Sequence, residues 1–210
     1  MGLKLQNCSV GFVKHACVLV SFKGITVYFD PWKLPENPPK ADMVLVSHEH
    51  YDHLSPESIK KISKPETVIV SNSKSASKLS GKAKIIEVGD SIEILGLEIS
   101  TVQAYNIGKP FHPKGLGQGY VVSFGSEKLY HAGDTDFIPE MKSLKGISCA
   151  FLPIGGTYTM NIKEAAQAAN SFFPEIVVPI HYNVVEGTRA DPQMFSSLVP
   201  KKTKVEILYR

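Results

Sequence analysis

Long hydrophobic runs are missing from this chain. No apolar stretch approaches the ~20 residues that a membrane-spanning helix needs, so no such helix is expected. Cysteine is scarce and odd in number. Cys8, Cys17 and Cys149 lie in apolar, strand-like runs, which excludes a disulfide framework and predicts buried free thiols. Linkers and low-complexity segments are also lacking, so the 210 residues are expected to form one domain. Met1 to Val13 holds too few consecutive apolar residues for a secretory signal, and a cytoplasmic protein is expected. The G-x-S-x-G pattern of serine hydrolases is absent. Charge of one sign never dominates: the formal net charge is +3, and lysines cluster loosely around Lys60, Lys74 and Lys201. A nucleic-acid footprint would need a denser basic stripe with interleaved aromatics. Solvated helix and loop faces account for the lysines, and an anionic small-molecule substrate fits the mild positive balance equally well. A homo-oligomer is left open.

What the chain does have is the run Ser47-His48-Glu49-His50-Tyr51-Asp52-His53, directly after the apolar Met43 to Val46. The spacing H-x-H-x-D-H is a metal-ligand signature, since imidazole and carboxylate suit Zn²⁺, Mn²⁺ or Fe²⁺. Alternate residues of an extended chain face the same way, so His48, His50 and Asp52 can converge and His53 joins them at the following turn. Glu49 faces the other way and is given no catalytic role. Further candidates follow later strands: Asp134 in His131-Ala132-Gly133-Asp134-Thr135-Asp136, His181 in Pro179-Ile180-His181-Tyr182, and His112 in a Gly/Pro-rich loop. Ligands on loops at strand ends are what a rigid sheet can hold in place.

The surrounding pattern is mixed α/β. Val18 to Phe22 and Ile25 to Phe29 flank Lys23-Gly24, a tight hairpin turn. Met43 to Val46 is a short apolar strand, as in a sheet covered on both faces. Ser55 caps and Pro56 opens a helix to about Ile62. A strand at Val68 to Val70 and a helix at Ser73 to Leu79, stopped by Gly81, follow. Ile85 to Glu87, Ser91 to Leu95, Leu97 to Ala104, Gly119 to Phe124, Lys128 to His131, Ala150 to Leu152 and Ile176 to Ile180 read as strands. Asn161 to Phe173 is the clearest helix, with a capping box at Asn161 and Glu164. Pro192 to Leu198 is the last helix. The two halves look roughly alike.

The order H-x-H-x-D-H, a downstream loop ligand, an Asp in G-D-T and a late His resembles the metallo-β-lactamase superfamily over nearly the whole chain. The opening Val13-Lys14-His15-Ala16, the middle Leu152 to Met160 and the end Pro179 to Asn183 look like its ascorbate-6-phosphate lactonase-like branch. That resemblance implies a four-layer αββα sandwich. It also implies a metal-dependent hydrolase with two divalent ions, zinc first and Mn or Fe as alternatives, and an attacking hydroxide activated by metal. His48 and His50 would hold one ion, Asp52, His53 and His181 the other, with Asp134 bridging; Asp52 and Asp134 are the catalytic carboxylates. The chain departs from the pattern where relatives place a third histidine for the first ion, at the end of the Thr101 to Asn106 strand. His112, six residues on, is expected as ligand or substrate contact, with Asn106 as the alternative. His15 is expected to hydrogen-bond near the metals or to be a structural buried histidine. His131 is expected to orient a ligand carboxylate, Asp30 to support a ligand, and Tyr158 to reach substrate. Gly155-Gly156-Thr157 reads as a turn that lets backbone approach the site. Loops 31–41, 106–118 and 182–190 are expected to wall the pocket. The expected substrate is a small ester, lactone or phosphodiester; an RNA-processing phosphodiesterase and a non-catalytic metal-binding protein are the alternatives.

Overall fold

The structure, a computed structural model, describes residues 2–79 and 83–208. β1 (Gly2–Lys4), β2 (Ser9–Lys14), β3 (Cys17–Phe22), β4 (Ile25–Phe29) and β5 (Met43–Leu45) come first, then α1 (Pro56–Ile62), β6 (Val68–Ser71), α2 (Ser73–Ala76) and β7 (Ala83–Ile85). The second half runs β8 (Ser91–Ile94), β9 (Leu97–Ala104), β10 (Gly117–Phe124), β11 (Glu127–His131), β12 (Cys149–Pro153), α3 (Ile162–Phe172), β13 (Ile176–Ile180), α4 (Pro192–Leu198) and β14 (Lys204–Val205). Each half forms one seven-stranded sheet whose spatial order is its chain order. In both, the first four strands pair antiparallel and the next three join in parallel. The likeness of the halves expected from the sequence is therefore a likeness of topology.

Side-chain alternation explains the layers. Met43 and Leu45 of β5 enter the core between the sheets, whereas Val44 and the following Val46 pack with Ile59 and Ile62 under α1. Cys149 and Phe151 of β12 face the same central core, and Ala150 and Leu152 pack with α3 residues Ala165, Ala169 and Phe172. Strands apolar on both faces belong in a sheet covered on both sides. The result is the αββα sandwich.

Local signals act as expected at several ends. Lys23 (φ 46°) and Gly24 (φ 84°) both adopt left-handed backbone, the type I′ geometry that matches strand twist. Ser55 Oγ accepts from Ser58 N, and Asn161 with Glu164 closes the reciprocal capping box. All three cysteines are buried and free, and burial pushes the Cys8 and Cys17 thiols up to about 12. Among the described residues no helix is long and apolar enough to cross a membrane.

Three expectations need correction. The helix from Ser73 is only four residues long, because beyond it the amides of Lys78 and Leu79 bond three residues back, to Ser75 O and Ala76 O, instead of four. Its expected stop, Gly81, lies outside the described residues. The strand placed at Ile85 to Glu87 sits two residues earlier, since pairing with β6 aligns Ala83 with Ile69 and Ile85 with Ser71. β1, β2 and β14 were not foreseen as strands; β1 and β14 are short and carry few apolar residues.

Candidate metal centre

The ligand run follows directly from β5. Val46 N still donates to Val70 O at 3.0 Å, and then the chain leaves the sheet. Ser47 N donates to Asp30 Oδ1 at 2.7 Å, and Ser47 Oγ to Asp30 Oδ2 at 2.6 Å. Asp30, at the end of β4 in left-handed backbone (φ 45°), thus pins the start of the loop. The amides of His53 and Leu54 both donate to His50 O, forming the turn that swings His53 inward. Asp30 Oδ2 lies 2.7 Å from His53 Nδ1. A carboxylate only accepts, so Nδ1 carries the hydrogen and Nε2 is left as the outward-facing ring nitrogen.

Two groups of donors converge. His48 Nε2 and His112 Nε2 each lie 3.1 Å from His50 Nδ1, and the three rings can offer nitrogens within 4.8 Å of one another. His15, Asp52, His53 and His181 form the second group. Asp134 stands between them, its Oδ2 3.0 Å from His181 Nε2 and 3.3 Å from His112 Nε2, and its Oδ1 3.3 Å from His53 Nε2. His53 Nε2, His181 Nε2 and Asp134 Oδ1 are buried yet lack hydrogen-bonding geometry. Buried polar atoms normally have partners. Unpartnered imidazole nitrogens around a carboxylate make a donor set that fits divalent cations of the Zn, Mn or Fe kind.

The electrostatics leave most of the imidazoles free of an extra proton, with His53 the exception. Burial, reinforced by neighbouring histidines, holds His48 well below the ordinary histidine value, and burial also lowers His50 and His112. These rings are neutral and carry free lone pairs at neutral pH. Burial opposes ionisation of Asp134, but His181 and His53 outweigh it and hold the carboxyl well below its usual range. For Asp52 burial is likewise outweighed, by His53 and by the bond to His15, leaving it at about 2. Burial works against a charge on His53, yet Asp134, Asp30 and Asp52 together raise it well above its ordinary value.

The remaining expected residues fall into distinct places. His15 Nε2 is 3.0 Å from Asp52 Oδ2, and its backbone carbonyl accepts from His181 N at 2.8 Å. Asn106 is not aimed at the cage as an alternative ligand. Its Oδ1 accepts from His112 N at 2.9 Å and faces His112 Nδ1 at 3.1 Å, while its Nδ2 donates to Tyr158 O and Asp136 Oδ1. Asn106 therefore holds His112. His131 is also displaced from its expected role: Nε2 donates to Ala16 O, Nδ1 accepts from Gly133 N, and the ring stacks on Phe29. It fixes the backbone before Asp134 rather than a carboxylate. Glu49 pairs with Lys78 at 2.9 Å, away from the cage.

Two supporting residues were not foreseen. Ser47 is one; it immediately precedes the signature, and its role depends on Asp30 from another strand. Asp136 is the other, two residues past Asp134, where it accepts from Ile107 N and from Lys109 Nζ. Gly155 lets the chain pass His181: a Cβ there would collide with His181 O and approach Thr188 Cβ to 3.0 Å. A cavity of about 270 Å³ opens over the cage, and Phe111, Tyr158 and Val185 help wall it. Loops 106–118 and 182–190 contribute as expected. Loop 31–41 gives no lining residue; its Trp32 instead packs edge-on against Tyr51, which does line the cavity.

The Beta-lactamase superfamily domain matches residues 9–181. A UPF0173 metal-dependent hydrolase of Pyrococcus abyssi is 38% identical over 186 residues, covering 83% of this chain and 81% of its own. A Parabacteroides distasonis protein of known structure superposes with a TM-score of 0.90 at 34% identity, over 99% of this chain and 97% of its own. Igni18, a metallo hydrolase of the archaeon Ignicoccus hospitalis, gives a TM-score of 0.82 at 27% identity, over 96% and 95% of the two chains. The chain belongs to the metallo-β-lactamase superfamily and, within it, to the UPF0173 family of metal-dependent hydrolases.

Proposed function

We propose that the cage binds two divalent ions and hydrolyses a small ester, lactone or phosphodiester. The observation that carries this reading is the convergence of the His48, His50 and His112 nitrogens on one side of Asp134 and of Asp52, His53 and His181 on the other. His48, His50 and His112 would hold one ion and Asp52, His53 and His181 the second, with Asp134 facing both. Ions held there would supply Lewis acidity and lower the pKa of a water toward neutrality.

The chain's own residues set the geometry for this chemistry. Asp30 fixes the His53 ring through Nδ1, and Asn106 fixes His112 through its backbone amide and ring. Imidazoles anchored on the far side keep their orientation without rearrangement on loading. His15 occupies Oδ2 of Asp52 and keeps that carboxylate turned toward the cage. Asp52 also lines the cavity as an ionised carboxylate, where it can take a proton from the attacking water and hand it on to the leaving group.

Metal content of the purified protein tests the reading. Wild type is expected to carry close to two ions per chain, His112→Ala close to one, and Asn106→Ala a weakened ion at the His48, His50 and His112 group that chelator removes first. A single ion in wild type, unchanged in His112→Ala, would show that His112 holds none.

A further inference from the structure

Resting on the hydrolase reading above, we infer that the part of the substrate beyond the scissile bond is uncharged and aromatic or branched-aliphatic. This selects an ester or lactone over a phosphodiester or any substrate with a distal phosphate or carboxylate. The argument comes from the walls of the cavity. Tyr51, Phe111, Tyr158 and Val185 rise around the metal cage from four separate chain segments. The Phe111 and Tyr158 rings meet edge-on at 4.8 Å, and Tyr51 meets Trp32 in the same way at 5.7 Å. Tyr51 is 66% exposed and Phe111 39%. Large rings left in water beside a concave site are poorly used by the fold and well placed for an apolar ligand.

Cations are missing where an anion would need them. Among the described residues that line the cavity there is no lysine or arginine. Three lysines of the neighbouring segments are held elsewhere. Lys109 donates to Asp136 and to Thr159 O, Lys114 pairs with Glu140, and Lys78 with Glu49. A distal anionic group would leave water with no lysine or arginine of the lining to receive it, which is costly. An aryl group loses no such partner and gains three ring contacts. The volume of about 270 Å³ is that of about nine waters, room for one aromatic group and its ester. The mild net positive charge of the chain fits an anionic substrate, but that charge is not at the site.

Binding can be separated from turnover. Metal-free protein would be titrated by calorimetry with naphthalene-2-carboxamide and with the near-isosteric naphthalene-2-carboxylate. At least tenfold tighter binding of the amide is expected, with a several-fold loss in Phe111→Ala and a reversed preference in Phe111→Lys. Phe111 is part-exposed, so both variants should fold. In parallel, zinc-loaded protein would be offered 1-naphthyl acetate and its ring-sulfonated counterpart, with a kcat/KM ratio of at least ten expected for the uncharged ester. Equal or tighter binding of the carboxylate, or no amide binding at all, overturns the inference. Equal turnover of the sulfonated ester also overturns it while leaving the hydrolase reading intact. No turnover of either ester, with the amide preference and its Phe111 dependence present, counts against an open-chain ester as substrate and supports the apolar pocket.

Discussion

Asp30 shows how much of the site depends on one buried carboxylate outside the ligand set. It receives Ser47 N and Ser47 Oγ and faces His53 Nδ1, so it fixes both the start of the ligand loop and the ring at its end. Asp30→Asn keeps the shape but offers an amide where two of these donors need an acceptor. Loss of such an outer partner is expected to weaken metal affinity by ~10–100-fold, measured by competition with a chromogenic chelator. Unchanged affinity would show that Ser47 and the turn alone set His53. At this scale the sequence was legible wherever the chemistry was local. His48, His50, Asp52 and His53 declare themselves by spacing within six residues. His112 could be singled out because its loop is rich in Gly and Pro. The task of Asn106 was not legible, because its partners Tyr158 and Asp136 are brought in by later strands. The same holds for His131, whose partner Ala16 is 115 positions away in the chain.

Each half of the site hangs from the carboxyl ends of strands, and the joints there are tight. Two residues past β12, Gly155 passes against the carbonyl of His181, the residue after β13. Gly155→Ala puts a methyl group into that contact with backbone on the other side, so the end of β13 must move. A loss of ~1–3 kcal/mol in stability is expected from such overpacking, together with loss of one bound ion, read by denaturant unfolding and metal analysis of the same preparation. Full metal content in the variant would mean that His181 tolerates the shift. Element boundaries were legible where side chains cap them, as at Ser55-Pro56 and Asn161. They were not legible where pairing decides, as at β7, whose register is set by β6. β1 gave little apolar signal because it is an edge strand paired only with β2.

Across the whole molecule the histidines set how stability depends on pH. His15, His48, His50, His112 and His131 are all lowered chiefly by burial, His15 to about 4 from an ordinary 6.5. Below pH 6.5 the unfolded chain therefore takes up protons that the folded chain refuses, and stability falls, with His15 alone accounting for ~3 kcal/mol down to about pH 4. His53 is raised, so its contribution is complete below 6.5 and declines as the pH rises above it. Metal-free protein is thus expected to be most stable near pH 6.5, with a denaturant midpoint that drops on both sides. A midpoint that keeps rising to pH 8 would show that His53 is not charged in the folded state. The overall topology was legible only as a rough likeness of two halves. The central core, where Phe22 meets Phe124 and the Tyr120 hydroxyl donates to Val46 O across the sheets, depends on pairings far apart in the chain. That separation bears on how the protein is made. His48 to His53 come from the first sheet, while His112, Asp134 and His181 come from the second. A nascent chain that has folded its first sheet holds only half a cage. The Asp52, His53 and His181 group is complete only after His181 has emerged and β13 has docked, so a full pair of ions could be loaded only late in folding.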